Sequence, residues 1–143
     1  MGKRFWICGL VVSVAALLLD FIVHALLLDP DYNALGTLYR TEADSQAFMP
    51  WMLLAHLLMG FAMTWIYVHG FGSQRSNYAQ GLRFGLGMAF FSTIPGYLVY
   101  YSVQPMPAML VAKQVILGTM VMLLLGLLLA WLEPHRRALA EPA

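Results

Sequence analysis

The eighteen residues from Val115 to Leu132 carry no charged side chain, and Thr119 supplies their one hydroxyl group. At the helical rise of about 1.5 Å per residue, this run is about 27 Å long, close to the thickness of the hydrocarbon core of a bilayer, about 30 Å. A run of this length and composition is typical of a membrane-spanning helix. It excludes a chain built like an ordinary water-soluble globule.

Three further stretches are similarly apolar, so we predict four spans, at residues 5–28, 50–67, 82–101 and 108–132. Of the 143 residues, 61% are hydrophobic and 10% are charged, whereas soluble domains carry about 25% charged residues. The sequence therefore predicts an all-α membrane protein, a single domain over residues 1–143 that folds as an antiparallel four-helix bundle with the lipid bilayer as its partner. The net charge of +1 is too small to indicate a nucleic-acid partner.

Basic residues cluster at one end of the predicted spans. The residues concerned are Lys3, Arg4, Arg75, Arg83, Arg136 and Arg137. The first loop, at the other end, is acidic, with Asp29, Asp31, Glu42 and Asp44 against a lone Arg40. Because short cytoplasmic loops retain Lys and Arg, we predict that both termini are cytoplasmic and that the chain resides in a bacterial inner membrane.

Small residues four positions apart mark one candidate contact face on each predicted helix. The sets are Gly9/Ser13, Gly60/Thr64, Gly81/Gly85/Ala89 and Gly126/Ala130. Helices in lipid associate through close backbone approach and polar contacts rather than through hydrophobicity. These sets therefore predict one contact face on each helix.

Polar side chains inside the spans gather at one depth. Counted from the centre of each span, six of them lie about 5 to 11 Å to the outer side of the midplane: Asp20, His24, His56, Tyr97, Lys113 and Gln114. Ionisable groups in hydrocarbon are costly and normally face the bundle interior, where they have partners. We therefore predict that these six residues form a ligand-binding pocket.

Asp20 and His24 are four residues apart and share one helix face, where they can share a proton or a ligand. Together with His56 they make a carboxylate and two imidazoles, a set that suits a transition metal or haem. Another interpretation is structural: Asp20 and Lys113 form a buried ion pair, and the histidines hydrogen-bond between helices. In a third interpretation the layer binds an organic ligand or conducts protons.

Several enzyme classes lack their residues in this chain. Cys8 is the sole cysteine, so a thiol redox pair cannot form within one chain. The sequence contains no phosphate-binding loop, no His-Glu-x-x-His helix and no serine nucleophile elbow. We assign no catalytic residue and no cofactor, and we favour a non-enzymatic function.

The sequence shows two resemblances to known families, of which the second rests on Asp20 alone. The stretches Leu19–His24, Gly81–Gly85 and Ile94–Tyr97 resemble an uncharacterised group of small bacterial four-span inner-membrane proteins over nearly the whole chain, which implies an architecture and no activity. An acid in the first of four short helices, here Asp20, is also similar to the small multidrug-resistance transporters, which have a glutamate at the equivalent place.

The leading functional hypothesis is a binding or accessory protein. Its pocket, built around Asp20, His24, His56 and Lys113, would hold an amphiphilic ligand, or the chain would pack against a larger membrane complex or another copy of itself. A competing hypothesis is a dimeric proton-coupled transporter that uses Asp20 and His24. A third is a metal- or haem-binding membrane protein.

Overall fold

A computed structural model describes residues 2–40, 42–71 and 78–133. These ranges are almost entirely helical and contain no β-strand. Within them, four helical segments are long and apolar enough to cross a membrane: segment 1 (Lys3–Leu27), segment 2 (Ala43–Gly70), segment 3 (Tyr78–Val103) and segment 4 (Ala108–Leu132). The prediction of an all-helical chain with four candidate spans is confirmed.

Two of the segments contain a stretch of π-helix. Segment 1 consists of helix α1 (Lys3–Phe21) followed by the π-helical turn Ile22–Leu27. Segment 3 consists of α4 (Tyr78–Met88), the π-helical turn Ala89–Thr93 and α5 (Ile94–Val103). Pro95 lies in the first turn of α5, two residues after the end of this π-helical turn.

Segment 2 belongs to a longer helix than predicted. Helix α3 covers Glu42–Phe71 and contains Pro50 in its interior, whereas the sequence prediction began the span at Pro50. A proline removes one backbone hydrogen bond and bends a helix without having to end it. Helix α6 (Ala108–Leu132) has the predicted bounds, with Pro107 in extended conformation just before it.

The first loop is mostly ordered into short helical turns. Helix α2 (Asp29–Asn33) is followed by a 3₁₀ turn (Gly36–Leu38), in which Gly36 has a φ of 59° that favours glycine. The loop is anchored to α3, because the Arg40 guanidinium carbon lies 3.7 Å from the centre of the Phe48 ring.

Segments 1 and 2 pack along each other through the predicted small residues. A Cβ atom placed on Gly60 would lie 2.7 Å from the Cα of Ser13, closer than real side chains approach. The Ser13 hydroxyl donates to the Gly9 carbonyl at 2.8 Å and lies 3.3 Å from the Leu57 carbonyl of segment 2. The glycine therefore permits a contact between the two backbones.

Segments 3 and 4 form the second closely packed pair. A Cβ atom on Gly85 would lie 2.8 Å from the Cα of Leu123, and one on Gly126 would lie 2.9 Å from the Gly85 nitrogen. Ala89 and Ala130 are buried on the same faces. All four contact faces predicted from small residues are thus confirmed.

The two pairs are joined mainly through segments 1 and 4. The shared core contains the fully buried side chains Val12, Ala16, Met63, Leu125 and Leu129. Segments 2 and 3 also meet where the rings of Tyr67 and Phe84 pack edge to face at 5.1 Å. This layout leaves clefts on both sides of segment 1.

Arg4 links the start of segment 1 to the end of segment 4. Its guanidinium donates to the Leu132 carbonyl at 2.6 Å and lies 3.4 Å from the Glu133 carboxylate. Cations near a helix C-terminus satisfy its last carbonyl groups and its dipole. Of the other basic residues used to predict orientation, Arg75, Arg136 and Arg137 lie outside the described residues.

Candidate functional site

Asp20 and His56 form a hydrogen-bonded pair between segments 1 and 2. The Oδ2 atom of Asp20 lies 2.9 Å from Nε2 of His56. The His56 side chain is 11% exposed and that of Asp20 is 34% exposed. The carboxyl group of Asp20 is therefore partly exposed, although most side chains around it on segments 1 and 2 are apolar.

The hydrogen bonds of His56 determine how many protons this pair holds. Its Nδ1 atom lies 2.7 Å from the Met52 carbonyl oxygen. Because a carbonyl only accepts, Nδ1 must carry a hydrogen and donate it. The bond between Nε2 and Asp20 then needs a second proton, on the imidazole or on the carboxyl group. In either form the pair has no net charge.

His24 lies in the π-helical turn of segment 1 and contacts two phenols. Its Nδ1 lies 2.5 Å from the Tyr32 hydroxyl, and its Nε2 lies 3.2 Å from the Tyr97 hydroxyl. The rings of His24 and Tyr32 stack with their centres 5.9 Å apart. His24 therefore connects the first loop to segment 3, and it also lies within electrostatic range of Asp20 and His56.

Gln114 extends this chain of hydrogen bonds to segment 4. Its Nε2 donates to the Tyr32 hydroxyl at 3.1 Å. With that bond in place, Tyr32 can donate its own hydrogen to Nδ1 of His24, which leaves Nε2 of His24 to donate to Tyr97. The Gln114 Oε1 atom is buried and accepts no hydrogen bond from the part of the chain that the structure describes.

Burial keeps the phenols of the first loop protonated. It raises the pKa of Tyr32, with smaller contributions from Tyr39, Asp31 and Asp20 in the same direction and an opposing one from Gln114. Burial likewise raises the pKa of Tyr39, whose ring centre lies 4.7 Å from that of Tyr32. Tyr32 is therefore a hydrogen-bond donor at neutral pH.

Both π-helical turns lie beside this polar cluster. The turn Ile22–Leu27 contains His24 and begins two residues after Asp20. The turn Ala89–Thr93 ends four residues before Tyr97, the other partner of His24. Turns of this kind often accompany functional sites, because the wider turn changes the direction in which side chains project.

A cavity of about 510 Å³, here called the lateral cleft, lies between segments 1 and 2. Asp20, His24 and His56 are among its lining residues, although almost all of the surface that the cleft exposes is apolar. Its walls are apolar, and they include Leu17, Leu18, Phe21, Met49, Met52 and Leu53. Five of these six wall residues are among the large apolar side chains exposed on the outside of the bundle, so the cleft faces the surface that lipid would cover.

A second and smaller cavity, of about 260 Å³, lies on the other side of Asp20. Segment 3 lines it with Thr93, Gly96 and Tyr97, and segment 4 lines it with Gly118. Asp20 borders both cavities. The carboxyl group thus stands between a cleft at segments 1 and 2 and a cavity at segments 3 and 4.

Lys113 lies apart from the cluster to which the sequence assigned it. Its ammonium group binds both carboxylate oxygens of Asp31, at 2.8 and 2.9 Å, and the two side chains are 44% and 28% exposed. The structural interpretation that paired Asp20 with Lys113 is therefore wrong, because Asp20 is hydrogen-bonded to His56 and Lys113 is paired with Asp31. The structure does bring Asp20, His24, His56, Tyr97 and Gln114 together.

The metal hypothesis for Asp20, His24 and His56 is not supported. No group of three or more His, Cys, Asp or Glu side chains in residues 2–40, 42–71 and 78–133 is placed to hold a metal ion. The two histidines use their ring nitrogens in hydrogen bonds to other residues.

Sequence reasoning missed Tyr32 and Tyr39. It ended segment 1 at Leu28 and assigned no role to the tyrosines that follow. The available signal was two tyrosines in one loop, since a phenol has both an apolar ring and a hydroxyl that seeks a partner when buried.

Comparisons of this chain with protein-family models, with curated proteins and with solved structures found no match.

Proposed function

We propose that this chain is an integral membrane protein that binds an amphiphilic molecule in the lateral cleft. The observation that carries the proposal is the composition of that cleft, in which apolar walls surround the hydrogen-bonded pair of Asp20 and His56. Ligand pockets are mostly apolar, with a few convergent polar groups that orient the ligand. An alkyl chain would lie along the walls while a polar group reached Asp20.

The accessibility of Asp20 favours a binding function over a purely structural one. A polar pair that only joins two helices is best sealed between them, because water and lipid then cannot compete for its hydrogen bonds. Here the Asp20 side chain is 34% exposed and borders two cavities. A ligand can therefore reach the carboxyl group without separating segments 1 and 2.

We further propose a bacterial inner-membrane location with both termini in the cytoplasm. The distribution of charge supports this orientation, since Lys3, Arg4 and Arg83 belong to one end of the predicted bundle and Asp29 and Asp31 to the other. In this orientation His24, Tyr32 and the ion pair of Lys113 with Asp31 lie toward the periplasm.

A second candidate function is proton-coupled transport, in which the chain acts as a dimer. One observation favours it, namely that Asp20 lines the lateral cleft and also the cavity at segments 3 and 4. A carboxyl group that lines two cavities can interact with a substrate in each of them.

Photolabelling with a dodecyl alcohol that carries a diazirine on its chain tests the binding function. We expect the labels, mapped by mass spectrometry in wild-type protein, to concentrate on cleft-wall residues such as Leu17 and Met52. Ala25 lines the cleft, so Ala25→Phe should fill it and reduce labelling. Ala62 is exposed on segment 2 away from the cleft, so Ala62→Phe should leave labelling unchanged.

The proposal fails if the label spreads evenly over exposed apolar positions. Phe91, which is 78% exposed on segment 3, reports such non-specific labelling. Equal labelling of Phe91 and the cleft walls would mean that the alcohol contacts the protein only as bulk lipid does.

A further inference from the structure

The lateral cleft can hold the alkyl chain of an amphiphile but offers little that selects its head group. Almost all of the surface that the cleft exposes is apolar. Both ring nitrogens of His56 and both ring nitrogens of His24 are already hydrogen-bonded to other residues. Burial of apolar surface is favourable without being directional. Selection among head groups therefore requires a second surface.

The smaller cavity provides such a surface beside the cleft, because Asp20 borders both. Its volume of about 260 Å³ is below the range of about 300 to 1,000 Å³ that is usual for a whole ligand. It therefore suits a head group rather than a complete amphiphile. Several of its lining side chains carry an oxygen atom, namely those of Asp20, Ser92, Thr93, Tyr97 and Tyr100.

Thr93 contributes a free hydroxyl to this cavity. A Cβ atom placed on Gly118 would lie 2.7 Å from the Cγ2 atom of Thr93, so the methyl group of Thr93 faces segment 4. The hydroxyl diverges from the methyl group at Cβ and therefore points away from Gly118. It has no hydrogen-bond partner in the part of the chain that the structure describes. A hydroxyl both donates and accepts.

Three further groups complete a set that donates and accepts hydrogen bonds. The contact with His56 uses Oδ2 of Asp20, so Oδ1 remains as an acceptor. With Nε2 of His24 donating to Tyr97, Tyr97 keeps its own hydrogen to donate. The Tyr100 hydroxyl has no partner within residues 2–40, 42–71 and 78–133. A complementary head group must therefore present donors and acceptors together, as adjacent hydroxyl groups do.

The distribution of charge disfavours ionic head groups. Among the described residues, no Lys or Arg lines either cavity, and Lys113 is paired with Asp31. A phosphate or a carboxylate would therefore lack a cation. An ammonium group would add a charge beside the Asp20–His56 pair, which already has no net charge. Both arrangements cost free energy in apolar surroundings.

We propose that the smaller cavity binds an uncharged head group with two or more adjacent hydroxyls, such as a glycerol or a single sugar, while the lateral cleft holds the alkyl chain. This inference rests on the proposed binding function and specifies its ligand class. One hydroxyl donates to Oδ1 of Asp20, and the others bond to Thr93 and Tyr97. Asp20 and His56 keep the proton that they share.

Competition against the diazirine alcohol tests this ligand class on the full chain in phosphatidylcholine nanodiscs. Four competitors share a dodecyl chain and differ in the head group: 1-O-dodecylglycerol, dodecanol, dodecyl phosphate and dodecyltrimethylammonium. We expect 1-O-dodecylglycerol to halve the labelling of the cleft at a mole fraction at least about tenfold lower than each of the others, because it alone adds adjacent uncharged hydroxyls. Equal or better competition by any of the other three would overturn the inference.

Dodecyl glucoside identifies the source of the hydroxyls. It should also compete better than dodecanol, because its sugar carries adjacent hydroxyls. Tighter binding than 1-O-dodecylglycerol would assign the head group to a sugar, and weaker binding would assign it to a glycerol. Competition by both compounds at the level of dodecanol would overturn the inference.

A substitution at Gly96 tests the position of the head group. Gly96 lines the smaller cavity, and a Cβ atom placed on it would have no atom within 4 Å. A leucine side chain can therefore extend into the cavity without displacing a neighbour, and Gly96→Leu should remove the preference for 1-O-dodecylglycerol over dodecanol. Gly87→Leu is the matched control, because Gly87 has the same open space on the same segment and lies outside the cavity. It should keep the preference.

A preference that persists in Gly96→Leu would overturn the inference. If this variant does not accumulate, Thr93→Val replaces it, since valine keeps the shape of threonine without the hydroxyl, and the preference should fall severalfold. Cleft labelling by the alcohol with no preference among the competitors would leave the binding function standing and refute this inference. Absence of cleft labelling would refute both.

Discussion

The hydroxyl of Tyr32 lies 2.5 Å from Nδ1 of His24, so a residue of the short helix α2 completes the hydrogen bonding of a residue within segment 1. The same hydroxyl accepts from Gln114 of segment 4. One phenol thus joins the first loop to two segments that are far apart in the sequence.

Removing that hydroxyl should destabilise the bundle. In Tyr32→Phe, His24 and Gln114 each lose a hydrogen-bond partner while the ring remains. We expect the free energy of unfolding to fall by about 1 to 2 kcal/mol. Thermal unfolding in detergent measures the change. Tyr101→Phe is the control, because Tyr101 is 45% exposed, and it should unfold at the wild-type temperature. Equal stability of both variants would show that the bond contributes nothing.

Alkaline pH should weaken the fold through the same residue. Burial raises the pKa of Tyr32 in the folded state, so the folded protein holds this proton more tightly than the unfolded chain does. The stabilising contribution is complete below the ordinary tyrosine pKa of about 10 and is lost as the pH rises from there through the folded value. We expect the free energy of unfolding to fall above about pH 10, and to fall less steeply in Tyr32→Phe. An identical slope in both proteins would contradict this.

The close contact of segments 3 and 4 should not tolerate a side chain at Gly85. A Cβ atom there would lie 2.8 Å from the Cα of Leu123, so the two helices would have to separate along the contact face. We expect Gly85→Val to cost several kcal/mol, as overpacked or strained core sites do, and to reduce accumulation in the membrane.

Gly87 provides a matched control for that substitution. A Cβ atom on Gly87 would have no atom within 4 Å, although the residue lies on the same helix two positions away. Gly87→Val should therefore accumulate at nearly the wild-type level. Similar losses in both variants would mean that helix propensity, rather than helix contact, limits this segment.

The ion pair of Lys113 with Asp31 should contribute little to stability. Both side chains are partly exposed, and pairs of this kind are worth about 0 to 1 kcal/mol. A double-mutant cycle of Lys113→Gln and Asp31→Asn, measured by thermal unfolding, should give a coupling energy in this range that shrinks with added salt. A coupling energy of 3 kcal/mol or more, the order expected on breaking a buried ion pair, would contradict this prediction and indicate that Lys113 is buried.

The positions of the helices and of their contact faces can be predicted from patterns in the sequence. Length and apolarity suffice to locate segment 4, since its bounds depend on the bilayer thickness. The contact faces that carry Ser13, Gly60, Gly85 and Gly126 could be predicted because only small residues permit backbones to touch, although the pattern did not indicate which faces meet. The exact start of segment 2 could not be predicted, because a proline such as Pro50 can begin a helix or lie within one.

The site could be predicted from the sequence only in part, because the depth of a residue along a helix axis does not give the direction of its side chain around that axis. Asp20 and His56 were placed at one level, and they do meet. Lys113 was placed at a similar level but projects toward Asp31. The π-helical turn Ile22–Leu27 also changes the relation between Asp20 and His24 that ideal helical geometry predicts, and no sequence periodicity signals such a turn. Tyr32 lies in a loop, where periodic reasoning does not apply.

The wide turn at Ile22–Leu27 holds one residue more than the same stretch of regular α-helix would. It takes up that residue locally, within a segment that stays helical on both sides. Asp20 before the turn can therefore contact His56 of segment 2, while His24 within the turn contacts Tyr32 of the first loop and Tyr97 of segment 3. One change of helical winding thus lets two neighbouring polar side chains of a single segment serve two different partners.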